Sequence, residues 1–215
     1  MKGLMLDNFY KSVDYMKIYS FLLVLLAILL FLNGNDSIWQ AVIAVCHVMI
    51  ATASLSGMRE DAEVRWTKYE ISLPVKRKDI IACKYASYMC GILAGVIIAA
   101  VITFSAYLIH GNVLLADGFR DVLSLFTLCI GSAVFIGALF FPLVYAAGAS
   151  RSDALLLVSI VGGIGIVAFL TWLSNNILGP GVNYYLKIGF WWAVFGMAYI
   201  LSYCITRKIY AGKDI

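Results

Sequence analysis

The sequence predicts an all-α polytopic membrane protein: six transmembrane helices behind an N-terminal interfacial helix, with a cytoplasmic helix between spans 2 and 3. Three observations predict it. Of the 215 residues, 63% are hydrophobic and only 13% charged, against roughly half and about a quarter in soluble domains, and the mean hydropathy is +0.92. So little charge cannot cover a water-soluble surface, which excludes soluble enzyme folds. Apolar stretches of about the length a bilayer demands recur along the chain. The basic residues then alternate between loops in the way that membrane insertion favours.

Residues 1–215 read as one transmembrane domain. In the opening segment, 1–17, Met5, Phe9, Val13 and Met16 form one helical stripe, with Lys2, Asp7, Lys11 and Asp14 elsewhere. That pattern suits a helix lying along the membrane surface. Asp7 and Asp14 interrupt the basic region a signal peptide would need, and no small-x-small site follows, so the first span is expected to be retained. The spans are placed at 18–32, 38–55, 85–109, 122–147, 154–173 and 184–205. With the N-terminus inside, only Arg120 and Lys187 of the 16 Lys and Arg fall in outer segments, leaving fourteen inside. This bias supports the six-span count and puts both termini in the cytoplasm.

The one sizeable cytoplasmic piece is 57–84. Glu60, Asp61 and Glu63 precede Arg65 and Lys68, the order a helix dipole prefers, and Asp61 and Arg65 form an i,i+4 pair. Ala62, Trp66 and Tyr69 share a face, which predicts a short amphipathic helix of about three turns. Ser72-Leu73-Pro74 ends it, and Lys76-Arg77-Lys78 meets the next span at headgroup depth. Aromatics on such a helix need a groove in headgroups or on a protein.

The run from Trp66 through Tyr69, Leu73, Pro74 and Arg77 to Lys84-Tyr85 resembles the "SLP-x-x-R…KY" signature of type-2 export permeases of the ATP-binding-cassette (ABC) class. Phe141-Pro142-Leu-Val-Tyr-Ala-Ala-Gly148, followed by Arg151, is similar to the end of that family's fourth span, with Ala146-Ala147 where a basic or aromatic pair often stands. The resemblance implies a coupling helix, here Glu60 to Tyr69, seated in a groove of a separate ATPase subunit, with Arg151 in the second inner loop. It also implies a second permease chain, identical or not, a bacterial plasma membrane, and outward transport. The chain has no G-x-x-x-x-G-K-[ST] loop to cradle phosphates, so ATP and magnesium are expected on the partner and no cofactor here. No nucleic-acid partner is expected.

Nothing in the spans reads as catalytic. None carries an interior Asp, Glu or Arg, and His47 in the second span is read as a neutral, hydrogen-bonded packing residue. The five cysteines lack paired spacing, which implies neither disulfides nor zinc. Gly91 and Gly95 form GxxxG, and Gly162, Gly163 and Gly165 cluster in the fifth span; either permease pairing or packing within the chain explains them. Pro142 is expected to kink the fourth span. A cavity bounded by Leu, Val, Ile and Phe would suit a hydrophobic or amphipathic cargo, such as small toxin or antimicrobial peptides. Two other readings stand beside the exporter: a substrate-capture subunit of an importer, whose outer polar residues would be Asn175, Asn176 and Asn183, and a non-transporting scaffold.

Overall fold

The computed structural model describes residues 36–63, 77–110, 118–148, 151–178 and 183–212, together with residues 7, 10–12, 15, 17, 19, 21–26 and 28. Five long helices are present: α1 (Asp36–Glu63), α2 (Arg77–His110), α3 (Phe119–Ala147), α4 (Ser152–Leu178) and α5 (Tyr184–Ala211). All five are long and apolar enough to cross a membrane. No strand occurs among the described residues, and those before residue 29 are all helical. The expected span at 18–32 and the interfacial helix at 1–17 lie partly outside the described residues.

Each helix reaches past the apolar stretch that betrayed it. At 34 residues, α2 is about 51 Å long, against a hydrocarbon core of about 30 Å. Helical hydrogen bonds satisfy the backbone in and out of the bilayer alike, so a helix has no reason to stop where hydropathy falls. It stops at backbone signals. At the end of α3, Gly148 adopts φ 97°, and its N–H caps the carbonyl of Val144 at 2.9 Å. Pro142 lies inside α3, and the helix runs past it to Ala147.

The helix α3 is the axis of the bundle. Ile136, Phe140 and Phe141 are wholly buried, and α1, α4 and α5 pack around them. Small residues allow the close approaches. A β-carbon at Gly163 of α4 would fall 2.8 Å from the backbone nitrogen of Ile136, and one at Gly137 would intrude on the Tyr88 ring. Between α1 and α2, Gly91 accommodates Ser54, and Gly95 lies against His47, whose Nδ1 would be 3.1 Å from an added β-carbon. Gly91, Gly95 and Gly163 therefore serve packing within the chain, whereas Gly165 faces open space. His47 is buried, but neither ring nitrogen meets a hydrogen-bond partner among the described residues, so of the expected packing role only the burial is realised. Leu23 and Leu26 of the N-terminal segment pack on Val42 and Cys46 of α1, beside Ile102 of α2.

Gly163→Ala forces backbone against backbone and is expected to destabilise the bundle by about 1–3 kcal/mol. Gly165→Ala, two residues away in the same helix, should leave stability unchanged or slightly raised. Thermal unfolding of the two purified variants in one detergent checks the contrast.

Candidate coupling site and transport groove

The elements converge most tightly where α1 ends and α2 begins. Asp61, in the last turn of α1, accepts from Lys11 Nζ at 2.6 Å and from Lys84 Nζ at 2.8 Å, and Lys11 also holds Asp7 at 2.7 Å. The side chains of Asp61 and Lys84 are 6% and 9% exposed. The stem of Lys11 reaches its partner across Gly57, where an added β-carbon would stand 3.3 Å from Lys11 Cβ. One carboxylate thus joins the N-terminal segment, the end of α1 and the first turns of α2.

The physical chemistry explains the arrangement. Burial opposes ionisation of Asp61 most strongly, but the charges and hydrogen bonds of Lys84 and Lys11 outweigh it and hold its pKa below the ordinary carboxylate value. Burial likewise works against the charge of Lys11, yet Asp61 and Asp7 raise its pKa. Among the described residues of this cluster, two lysines face two aspartates, so their charges balance.

Tyr85, the next residue, ties α2 to α5. Ser202 Oγ spends its hydrogen on the carbonyl of Ala138 at 2.7 Å, so Tyr85 Oη must donate to Ser202 at 2.8 Å and accept from Thr206, also at 2.8 Å. Tyr199 Oη donates to the backbone carbonyl of Tyr85 at 2.7 Å, and the Tyr85 ring stacks on Phe141 with centroids 4.2 Å apart. The adjacent Lys84-Tyr85 pair therefore faces two ways: Lys84 grips α1 and the N-terminal segment, while Tyr85 grips α5 and α3.

The sequence-derived coupling residues are distributed as follows. The helix α1 continues unbroken to Glu63, so Glu60 and Asp61 belong to its C-terminal turns and do not open a separate helix. The dipole argument for these acids fails there, since a helix C-terminus disfavours negative charge. Tertiary pairing with Lys11 and Lys84 holds Asp61 ionised, and the expected i,i+4 pair with Arg65 lies outside the described residues. Arg65, Trp66, Tyr69, Leu73 and Pro74 lie outside the described residues. Arg77 is the first residue of α2. Arg151 is exposed, beside the start of α4, and its N–H donates to the Gly148 carbonyl at 3.3 Å. Lys11, Lys84 and Tyr85 were missed as site residues. The signal for the last two was their place in the "KY" motif; for Lys11 there was only its apolar surroundings.

Two hollows lie toward the opposite end of the bundle. A groove of about 550 Å³ runs between α1, α3 and α4, with Val45, Val48, Leu125, Ile164 and Val167 among its walls. A smaller recess of about 210 Å³ lies between α3, α4 and α5, with Ser124, Asn175, Tyr184 and Lys187 at its edge and Trp191 beside them. The two share Leu128 and Thr171.

Asp61→Asn removes the bridging carboxylate and is expected to cost about 3 kcal/mol, the scale for breaking a buried ion pair. Because the pKa of Asp61 is depressed, its contribution is present above the ordinary carboxylate range of about 4 and fades as pH falls through the lower folded value. The raised pKa of Lys11 means its contribution is full below about 10.4 and fades as pH rises through the higher folded value. Unfolding measured across pH should show a plateau between those limits, and Asp61→Asn should lose its acid limb. Tyr85→Phe should cost about 1–2 kcal/mol by stranding Ser202 and Thr206, with Phe141 stacking retained.

Residues 3–211 match the family model described as "ABC-2 family transporter protein". Neither the curated proteins nor the solved structures returned a match. A match over nearly the whole length, on an all-helical bundle with five candidate membrane-crossing helices, places the chain in the ABC-2 family of transporter proteins, as a multi-pass permease component that works with an ABC ATPase.

Proposed function

We propose that the chain is the permease subunit of an ATP-driven exporter that moves a hydrophobic or amphipathic cargo, with small toxin-like or antimicrobial peptides as the leading class. The observation that carries this reading is the groove between α1, α3 and α4. Among the described residues its walls are Val, Leu, Ile, Ala, Met and Cys, with only Ser132 and Thr171 bearing hydroxyls, and none of these carries a charge. Such a surface gives an ion or sugar no compensation for lost water, but it accepts apolar side chains.

In this reading the ion-pair end faces the cytoplasm of a bacterial cell, and both termini lie there. That is the end of the basic residues Lys11, Lys84, Arg151, Arg207 and Lys208; Arg120 and Lys187 lie at the other. The segment from Glu60 to Tyr69 engages the ATPase, with Trp66 and Tyr69 as its apolar contact. Closure of the ATPases displaces this segment. Asp61 and Lys84 carry the displacement into α1 and α2, and Tyr85 carries it to α5. Two permease chains, identical or paired with a homologue, enclose the cargo path, the groove forming one wall.

Replacing both Trp66 and Tyr69 with Glu should release the ATPase from the detergent-purified complex and abolish export, with the permease still inserted and expressed. The check is co-elution of ATP hydrolysis with the tagged permease, alongside export of a fluorescent amphipathic peptide. Co-elution and export at the unaltered level would remove the coupling assignment.

A further inference from the structure

The recess at the far end of the bundle differs in chemistry from the groove it joins. Its hydroxyl hydrogens are already committed: Thr127 donates to the Leu123 carbonyl, Ser174 to the Thr171 carbonyl, and Tyr184 to the Arg120 carbonyl at 2.5 Å. With the Tyr184 hydrogen spent, Ser124 must donate to Tyr184, at 2.8 Å. Lys187 Nζ donates to Asn175 Oδ1, which fixes the amide so that its NH₂ group points elsewhere. Among the described residues of the recess, the uncommitted donors are therefore two ammonium protons of Lys187, the amide of Asn175 and the indole N–H of Trp191.

The surrounding charge has the same sense. Arg120 stands over the Tyr184 ring, 5.8 Å from its centroid. The N-termini of α3 and α5, at Phe119 and Tyr184, both lie at this end and add partial positive charge. Asp121 is the acid on the adjoining rim, and no carboxylate among the described residues lies within ion-pair distance of Lys187 or Arg120. Among the described residues lining the recess and this rim, two cations stand against one acid.

Length fits as well. From Ile164, in the groove, to Asn175, in the recess, α4 rises about 16 Å, close to the depth of one leaflet in a core of about 30 Å. Leu128 and Thr171 line both hollows, so a single molecule can occupy both. We infer that groove and recess form one bipartite site for an anionic phospholipid of the bilayer, its phosphate at Lys187 and Asn175 and an acyl chain lying between α1, α3 and α4. Binding of this kind goes beyond the transport reading, since it needs neither the ATPase nor ATP.

The test uses the full-length permease in nanodiscs of phosphatidylcholine doped with phosphatidylglycerol, with native mass spectrometry counting the lipids that stay bound on release. Phosphatidylglycerol should be retained about fivefold above its share of the bilayer, the scale of one basic side chain near a headgroup. Lys187→Gln should bring retention to the bulk ratio, Lys187→Arg should preserve enrichment and so show that the site folds, and Ile164→Trp should reduce it by filling the groove. Lys208→Gln, at the opposite end, should change nothing. Enrichment that survives Lys187→Gln, or falls equally with Lys208→Gln, overturns the site. So does displacement by inorganic phosphate together with indifference to Ile164→Trp, which would mark a free-anion site. A lipid-free dimer closed over the groove, or a peptide retained in place of lipid, overturns it too. Export measured separately with the ATPase can succeed or fail independently of these outcomes.

Discussion

The carboxylate of Asp61, shared between Lys11 and Lys84 in a nearly dry position, is the constraint that ties the N-terminal segment, α1 and α2 together at the proposed coupling end. A buried charge is tolerable only when its partners stay close, so these groups cannot separate without a large cost. Three stretches of chain, 50 and 23 residues from one another along the sequence, must therefore move together. Residues 64–76, which connect α1 to α2, lie outside the described residues. In the proposed coupling, a force applied to residues 64–76 would enter the bundle through α1 and α2 together.

What lies beyond that point is stiff. The adjoining Tyr85 passes the constraint to α5 through Ser202 and Thr206, and its ring rests on Phe141 of α3. Close approaches at Gly137 and Gly163 leave α3 little room against α2 and α4. Packed interfaces of this sort shift between discrete arrangements and do not deform smoothly. Rigidity at one end and an open apolar groove toward the other are complementary in the proposed export cycle, where the first would deliver motion and the second would be the surface whose exposure that motion alters.

Much of this was legible in the sequence, and the residues show where legibility stops. Hydropathy located the five described helices, because apolar side chains must face lipid or core. It failed at their ends, as in α1, which was expected to stop at Leu55 and runs to Glu63. Polar residues beyond the bilayer carry no hydropathic mark of helix, and the acids there looked like the start of a separate helix because dipole rules see only local sequence. Lys84 was counted as one more inward positive charge. Its burial depends on Lys11 and Asp61, and no local pattern encodes a contact across 23 residues. The Ser202 and Thr206 partners of Tyr85, 117 and 121 residues away, were equally invisible. The resemblance to a permease signature marked Lys84-Tyr85, and the structure supplies a physical reason: one residue for each side of the clamp.

The most direct measurement of the coupling account is the number of cargo molecules exported per ATP hydrolysed, in proteoliposomes holding the permease with its ATPase. Wild type would be compared with Asp61→Asn at a temperature where both remain folded. The account predicts that the variant keeps its ATPase bound and continues to hydrolyse ATP while export per ATP collapses, because the loop still docks but no longer drags the helices. An unchanged ratio would contradict it, and would mean that the force reaches the membrane by a route that bypasses Asp61.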